Sequence, residues 1–261
     1  EAITLKKQIL ADAMRIMGLD SPDTLTARNQ LAGAYRDAGR LDEAVNMLKQ
    51  NLDDVARTLG LDSPDTLTAR NRLAVAYRDA GRLDEAIPLF EQNLTNVTRL
   101  AGPDHPHTLS SRSTLAGAYQ AAGRLDEAIP LFERNLDDVA RTLGLDHPGT
   151  LASRHSLAGA YRDAGRLDET IPLFEQNLTD FIRILGPDRP DTFTSRSTLA
   201  GAYQAAGRLE EAIPLFEQNL EDRTRTLGPA HPVTLTSRGN LAGAYRAAGR
   251  MEDAEKLFGT P

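Results

Sequence analysis

Residues 31–44 read Leu-Ala-Gly-Ala-Tyr-Arg-Asp-Ala-Gly-Arg-Leu-Asp-Glu-Ala, and close variants of this stretch return every 42 residues along the chain. Six copies of a 42-residue unit account for nearly all of the 261 residues. All six tyrosines occupy one position of the unit: Tyr35, Tyr77, Tyr119, Tyr161, Tyr203 and Tyr245. A fixed period of this size is typical of stacked supersecondary units and not of a globule with one closed core.

Each unit contains two amphipathic helices, which we call helix A and helix B. In the first complete unit, apolar residues at helical spacing predict helix A from about residue 22 to 38 and helix B from about 41 to 59. Gly39 and Gly60 follow the two helices, and glycine can adopt the left-handed conformation that ends a helix. The sequence therefore predicts an all-α chain of helix pairs.

The period also divides the chain. Residues 1–17 align with helix B of a truncated repeat, and 228–261 form a shortened last repeat. The full repeats lie between them, at 18–59, 60–101, 102–143, 144–185 and 186–227. We expect one repeat array with no linker and no second domain. Because the first helix lacks its helix A partner, we expect it to expose four apolar residues: Ile3, Leu5, Ile9 and Leu10.

Four prolines fall inside helix B, beyond its first turn: Pro88, Pro130, Pro172 and Pro214. Proline in a helix interior removes one backbone hydrogen bond and destabilises by roughly 3 kcal/mol. We expect these prolines to lie on the outward face, where water reaches the freed carbonyl group. A mild bend is then expected, not a break.

Composition and motifs exclude several classes of function. No apolar run approaches the length of a membrane span, and a net charge of −7 argues against nucleic-acid or anionic-membrane binding. The absence of cysteine excludes disulfides and fits a cytoplasmic protein. The five histidines have no recognised ligand spacing, so no metal or other cofactor is expected. No nucleophile elbow, phosphate loop or dinucleotide fingerprint occurs, so we do not expect an enzyme.

The stretch from Leu31 to Ala44 resembles a tetratricopeptide repeat. The 42-residue length and the junction Leu-Gly-Pro-Asp-Arg-Pro at 185–190 are similar to the kinesin light chain type of that family, which also occurs in bacterial repeat proteins. The resemblance implies a right-handed α-solenoid of antiparallel helix pairs. It further implies that a peptide or partner segment binds in a concave groove lined by the A helices.

If the leucines and tyrosines of helix A face helix B, the opposite stripe faces the groove. This stripe contains the candidate partner-binding residues Asn29, Arg36, Asn71, Arg78, Ser113, Gln120, His155, Arg162, Ser197, Gln204 and Arg246. The arginines can bind carboxylates, but an aspartate follows three of them and partly cancels their charge. Glycine occupies a further position of the stripe in five units, beginning with Gly33. It either opens the groove floor to a ligand or permits tight packing of neighbouring A helices.

A second arginine position is unbroken, at Arg28, Arg70, Arg112, Arg154, Arg196 and Arg238. It lies near the apolar interface of helix A. We expect a structural role, in which the aliphatic stem packs and the guanidinium meets a carboxylate, for instance from a junction residue such as Asp20 or Asp62.

Three functions remain open on the sequence alone. The first is a scaffold that binds a peptide or partner protein segment in the groove. The second is a structural spacer that forms a homo-oligomer by stacking through its repeat ends. The third is the sensor arm of a larger bacterial signalling NTPase.

Overall fold

A computed structural model describes residues 2–259, and this part of the chain consists of 13 helices and no strand. The helices are α1 (Ala2–Met17), α2 (Pro22–Asp37), α3 (Leu41–Leu59), α4 (Pro64–Asp79), α5 (Leu83–Ala101), α6 (Pro106–Ala121), α7 (Leu125–Leu143), α8 (Pro148–Asp163), α9 (Leu167–Leu185), α10 (Pro190–Ala205), α11 (Leu209–Leu227), α12 (Pro232–Ala247) and α13 (Met251–Lys256). Even-numbered helices are A helices and odd-numbered helices are B helices. The predicted all-α solenoid of helix pairs is confirmed.

The chain forms two compact units, with the boundary inside α7 between Leu131 and Phe132. In the first unit α2 packs against α1 and α3, and α4 packs against α3 and α5. In the second unit α10 packs against α9 and α11, and α12 packs against α11 and α13. Each helix thus contacts chiefly its neighbours in sequence, as the 42-residue period predicts.

A threonine joins the start of five A helices to the glycine that follows the preceding B helix. The Thr24 hydroxyl donates to the carbonyl of Gly18 over 2.7 Å, and Thr192 donates to Gly186 over 2.8 Å. Gly18 has a φ of +88°, in the left-handed region that glycine adopts without strain. Proline at the first helical position lacks only an N–H group that would be unpaired there. Local chemistry therefore sets these helix boundaries.

The four internal prolines lie on the exposed face of helix B, as predicted. Pro88 is exposed, and α5 continues through it from Leu83 to Ala101. The neighbouring Ile87 and Phe90 are buried. Asp84, whose carbonyl loses its helical donor at Pro88, is also exposed, which is consistent with the helix continuing through the proline.

The first helix is better covered than the sequence predicts. Leu5 and Ile9 are exposed as expected, but Leu10 is buried and Ile3 is half-buried. Both pack against a cluster that contains Leu31 and Tyr35 of α2. The prediction is therefore wrong for Leu10 and Ile3, because α1 packs on the following A helix as the later B helices do.

Five of the six arginines at the unbroken position are buried, Arg238 is half-buried, and three of the buried ones pair with carboxylates other than the expected ones. Arg28 binds Asp54 over 2.5 Å, Arg154 binds Asp180 over 2.8 Å, and Arg196 binds Asp222 over 2.8 Å. These aspartates lie on helix B, 26 residues after the arginine. The expected junction partners are wrong: the exposed Arg57 and Arg99 at the ends of B helices bind Asp20 and Asp62 instead.

Arg70 is buried but lacks the aspartate that pairs with Arg28, Arg154 and Arg196. It is buried to the same extent as Arg28, but Asn96 stands where the other repeats have aspartate. Its Nη1 atom has no hydrogen-bond partner within residues 2–259, and Nη2 reaches the Leu61 carbonyl over 3.4 Å. Burial lowers the pKa of Arg70. The charge of Asp62 opposes this shift without forming an ion pair with Arg70, so Arg70 is a buried cation with no directly bonded carboxylate among the described residues.

Tyrosine side chains connect four A helices to the B helix of the preceding repeat. The Tyr161 hydroxyl donates to Glu133 over 2.6 Å, and Tyr245 donates to Glu217 over 2.6 Å. Tyr119 and Tyr203 make the same bond with Glu91 and Glu175. Burial, reinforced by these glutamates, raises the pKa of all four tyrosines to about 12.

We expect the free energy of unfolding to fall at alkaline pH. Because the folded-state pKa exceeds the value of about 10 in the unfolded chain, the folded protein binds these protons more tightly. The stabilisation is complete below about pH 10 and is lost as the pH rises through about 12. Urea denaturation at several pH values measures this loss, which should be smaller for Tyr203→Phe. Tyr77→Phe is the matched control, because Lys49 replaces the glutamate there. Parallel pH curves for wild type and Tyr203→Phe would contradict the explanation.

Candidate functional site

Two cavities of the first unit lie between successive A helices. The α2–α4 cavity has a volume of about 360 Å³ and is lined by α2, α3 and α4. The α4–α6 cavity has a volume of about 350 Å³ and is lined by α4, α5 and α6. Their linings match position for position at an interval of 42: Pro22 and Pro64, Leu25 and Leu67, Asn29 and Asn71, Asn51 and Asn93, Val55 and Val97. The repeat therefore produces the same cavity twice.

Thr68 lines both cavities. Thr68 is exposed on α4. Because α2 and α3 complete one cavity and α5 and α6 complete the other, the two cavities lie on opposite sides of α4. Aliphatic side chains form much of each wall, including Leu67, Val97 and Leu100 in the α4–α6 cavity. A bound chain that crosses α4 could place one side chain in each cavity.

The structure places two of the predicted groove residues in these cavities. Asn29 lines the first and Asn71 the second, and both are half-buried. Arg36 and Arg78 lie further along their helices and share one carboxylate. Arg36 Nε lies 3.9 Å from Asp79, and Arg78 Nη2 lies 3.1 Å from it. The expected cancellation of charge by a neighbouring aspartate is confirmed for Arg78.

The other candidates are distributed over the later A helices. Ser113 and Gln120 are half-buried on α6, and neither lines the two cavities. In the second unit, the remaining candidates are half-buried or exposed on α8, α10 and α12: His155, Arg162, Ser197, Gln204 and Arg246.

His155 lies against an aromatic ring of helix B. Its ring centroid is 5.3 Å from that of Phe174, although the residue as a whole is exposed. Burial of the imidazole, with a smaller effect from Arg162, lowers the pKa of His155. Arg162 itself is paired with Asp163 over 3.2 Å. His155 is therefore disposed to be neutral and to pack, not to carry charge.

The glycines of helix A are not explained by tight packing. A Cβ atom added at Gly33, Gly117, Gly159, Gly201 or Gly243 would meet no other atom within 4 Å, outside the helix's own neighbouring backbone. Glycine in a helix interior is less favourable than alanine by about 1 kcal/mol. The tight-packing interpretation is therefore wrong, and the open surface agrees with an accessible groove.

A set of buried asparagines on helix B was missed by the sequence analysis. Asn51, Asn93, Asn135, Asn177 and Asn219 recur every 42 residues and are at most 5% exposed. The available signal was a polar residue repeated within the apolar stripe of helix B, as between Leu48 and Leu52. Asn51 donates to Asn29 over 3.1 Å, and Asn177 donates to the Leu151 carbonyl over 3.0 Å. These side chains join helix B to helix A.

Two of these asparagines line the cavities, and the Oδ1 atom of each is almost inaccessible to solvent. Asn51 lines the α2–α4 cavity and Asn93 lines the α4–α6 cavity. The Oδ1 atom of each accepts no hydrogen bond from residues 2–259. A buried acceptor without a partner is unfavourable by roughly 1–3 kcal/mol. Asn135 Oδ1 is unpaired in the same way, so the feature recurs with the repeat and does not distinguish the cavities.

The last two complete repeats differ at the valine position of the cavities. Phe181 and Arg223 occupy the places that Val55 and Val97 hold in the first unit. Arg223 is buried and donates to Ser237 Oγ over 3.0 Å. Burial, with a smaller effect from Arg196, lowers its pKa. This position is thus aliphatic beside the two cavities and bulkier in the last two complete repeats.

Residues 2–259 contain no group of three or more histidine, aspartate or glutamate side chains placed to hold a metal ion. Among the helices described, none is long and apolar enough to span a membrane.

Comparison with protein families identifies the repeat. A family model described as tetratricopeptide repeat matches residues 23–94, 65–137, 112–169, 154–218 and 191–259. This is a repeat family and not a catalytic one. No curated protein sequence matches the chain.

Solved structures show the same architecture. A Podosopora anserina protein of nearly identical TPR-like repeats, described as a kinesin light chain, is 36% identical with a TM-score of 0.72, over 79% of this chain and 98% of that chain. BtubC (BKLC) from P. vanneervenii is 21% identical with a TM-score of 0.68, over 83% of this chain and 87% of that chain. A signal transduction ATPase with a tetratricopeptide repeat sensor, from Pyrococcus horikoshii, is 14% identical with a TM-score of 0.70, over 98% of this chain and 39% of that chain. The last two similarities concern the fold alone.

Proposed function

This chain belongs to the tetratricopeptide repeat family, and from that premise we propose that it is a scaffold that binds an extended segment of a partner protein across its A helices. Repeats of this family generally bind protein partners. The observation that carries the proposal is the pair of equivalent cavities on either side of α4. Concave, largely apolar cavities with a few polar groups are the usual form of a binding site.

The charges agree with a role in binding and not in catalysis. Perturbed ionisable groups gather at catalytic sites, whereas the groups with shifted pKa values here belong for the most part to ion pairs and tyrosine–glutamate bonds that recur from repeat to repeat. The residues that line the cavities are aliphatic, hydroxyl and amide side chains for the most part. This combination suits adaptable recognition of a peptide chain.

A bulky side chain at the residue shared by the two cavities should weaken peptide binding. Thr68→Trp places one large side chain where both cavities meet, and Thr68 is exposed, so the helix should still fold. We expect peptides selected on the wild-type protein from a random twelve-residue library to bind the variant at least about tenfold more weakly, because one buried aliphatic side chain contributes about 1.5–3 kcal/mol. Fluorescence anisotropy with labelled peptides measures this change.

The control is Gln92→Trp, an exposed residue of α5 outside both cavities. It introduces the same side chain and should leave affinity unchanged. Failure to select any peptide, or equal binding to wild type and Thr68→Trp, would refute the groove assignment.

A further inference from the structure

We infer that the partner segment bound by the second unit carries a carboxylate, which Arg223 binds where α10, α11 and α12 meet. The inference rests on the proposed function and deepens it, because it names the chemical group that this part of the groove selects. It follows from a buried arginine that stands where three earlier repeats have valine, and that has no carboxylate partner in the described part of the chain.

The place of Arg223 follows from the repeat and from its contacts. Arg223 lies three repeats after Val97, which lines the α4–α6 cavity. Its Nη1 atom donates to Ser237 Oγ over 3.0 Å and to the Val233 carbonyl over 3.5 Å. The residues three repeats before these two partners line the same cavity as Val97: Ser111 and His107. The guanidinium of Arg223 therefore occupies the part of the second unit that corresponds to the α4–α6 cavity.

The protein does not compensate the charge of Arg223. Both hydrogen bonds described for its guanidinium go to neutral oxygens, and it makes no ion pair within residues 2–259. The adjacent carboxylate, Asp222, already binds Arg196 and Arg225. The pKa of Arg223 is lowered by burial and, to a smaller extent, by Arg196. Because a buried charge without an opposite charge is unfavourable, an anion that reaches Arg223 would be stabilised there.

Part of the guanidinium remains open to a ligand. Arg223 keeps 7% of its surface accessible. Its Nε and Nη2 atoms donate to no described residue, and neither is among the enclosed nitrogens without a partner, so both keep some accessible surface. Asn219 differs in this respect, because its side-chain nitrogen and oxygen are enclosed. The open Nε and Nη2 groups form one edge of the guanidinium, which matches the two oxygens of a carboxylate.

A carboxylate fits this place better than a phosphate. A phosphate group on a protein carries nearly two negative charges at neutral pH, and one arginine compensates only one of them. The neighbouring buried cation, Arg196, is already paired with Asp222 over 2.8 Å. The single unpaired arginine therefore matches one carboxylate, which an aspartate or glutamate side chain or the end of a chain can supply.

The test begins with peptides that require Arg223. Twelve-residue peptides are selected from a random library on the wild-type full chain, with counter-selection against Arg223→Val. This variant should fold, because valine is the buried residue at the same position of three other repeats: Val55, Val97 and Val139. We expect it to be at least as stable as the wild type in urea, since the substitution removes an unpaired buried charge.

The decisive measurement neutralises the carboxylates of these peptides one at a time. Each selected peptide is made with aspartate changed to asparagine, with glutamate changed to glutamine, or with an amidated C-terminus, which separates side-chain from terminal carboxylates. We expect one of these changes to weaken binding to the wild type at least about tenfold, and to weaken binding to Arg223→Val by less than about twofold. Fluorescence anisotropy with labelled peptides gives the dissociation constants.

Phe181→Val is the matched control. It restores valine at the equivalent position of the preceding repeat and alters no charge. The loss of affinity on neutralising the carboxylate should therefore be the same in Phe181→Val as in the wild type. Circular dichroism of both variants confirms that they are folded.

The outcomes distinguish this inference from the proposed function. If peptides bind the wild type and are sensitive to Thr68→Trp, but none distinguishes the wild type from Arg223→Val, then this inference is wrong and the groove assignment stands. Equal losses for the acidic and the neutralised peptides in Arg223→Val would also contradict it, because Arg223 would then only support the fold. If no peptide binds the wild type, both are wrong. A tenfold effect of one carboxylate that disappears in Arg223→Val and persists in Phe181→Val supports the inference.

Discussion

Replacing Asp180 with alanine is expected to lower the free energy of unfolding by about 3–5 kcal/mol, because it leaves a buried arginine without its carboxylate. The Arg154 side chain is only 4% exposed and donates to Asp180 over 2.8 Å. Its other described bond is to Asn177 Oδ1, over 3.0 Å, and that acceptor is neutral. Since the guanidinium cannot be rehydrated without opening α8 from α9, the charge stays buried and unpaired.

The measurement must resolve one repeat from the others. Repeat arrays can unfold locally, so a single global transition is not assured. Hydrogen exchange of the backbone amides in α8 and α9, together with urea denaturation, locates the loss. We expect exchange to accelerate in these two helices and to change little in α2 and α3.

The matched control is Asp137→Ala. Asp137 is an exposed helix B carboxylate that makes no ion pair within the described residues. Its removal should change stability by less than about 0.5 kcal/mol. An equal effect of both substitutions would show that helix B is sensitive to any lost carboxylate, and the ion pair would then not be the cause.

Replacing Asn96 with aspartate is expected to stabilise the protein by about 1–3 kcal/mol, the converse of the first result. Arg70 is buried, its Nη1 atom has no partner in the described part of the chain, and burial lowers its pKa. The new carboxylate would stand where Asp54 binds Arg28 in the preceding repeat. Supplying a partner to a buried cation removes an existing penalty, so the change is favourable.

The preceding repeat shows the complete network that this substitution would reproduce. Asp54 accepts hydrogen bonds from both Arg28 and Arg57, and Arg57 also binds Asp20. Although partial burial opposes it, these two arginines hold the pKa of Asp54 below its ordinary value. In the next repeat, Arg99 and Asp62 are the equivalents of Arg57 and Asp20, and they already bind each other. That network therefore lacks only a carboxylate at position 96.

Urea denaturation and hydrogen exchange of α4 and α5 measure the gain. The control is Gln92→Asp, which adds the same charge to the exposed face of α5. It should leave stability nearly unchanged. No gain from Asn96→Asp, or an equal gain from Gln92→Asp, would mean that Arg70 is adequately solvated as it stands.

The sequence was sufficient for the architecture because the features that define it are local. Proline at the start of each A helix and glycine after each helix act on their own neighbours in the chain. Apolar spacing in helix B also predicted the exposed prolines, since Pro88 falls between the buried Ile87 and the half-buried Leu89. The family resemblance came from the same local stretch, and it is confirmed.

The candidate site was less predictable. Helical spacing selected Asn29 and Asn71, which the structure places in the cavity linings, because both follow from the geometry of a single helix. It missed Asn51 and Asn93, which belong to helix B and reach the cavity only when the helices pack. The choice between an open floor and tight packing at Gly33 also required the positions of neighbouring atoms.

The amino-acid order by itself determined the number of repeats, the helix boundaries and the buried face of each helix, because turns and amphipathic spacing depend on residues a few positions apart. Only the tertiary structure decided which carboxylate Arg28 binds, that Leu10 is covered, and that two cavities flank α4. These depend on side chains from different helices, such as Arg28 and Asp54, which are 26 residues apart in the chain. Helix packing brings them together, and neither spacing nor composition specifies its atomic detail.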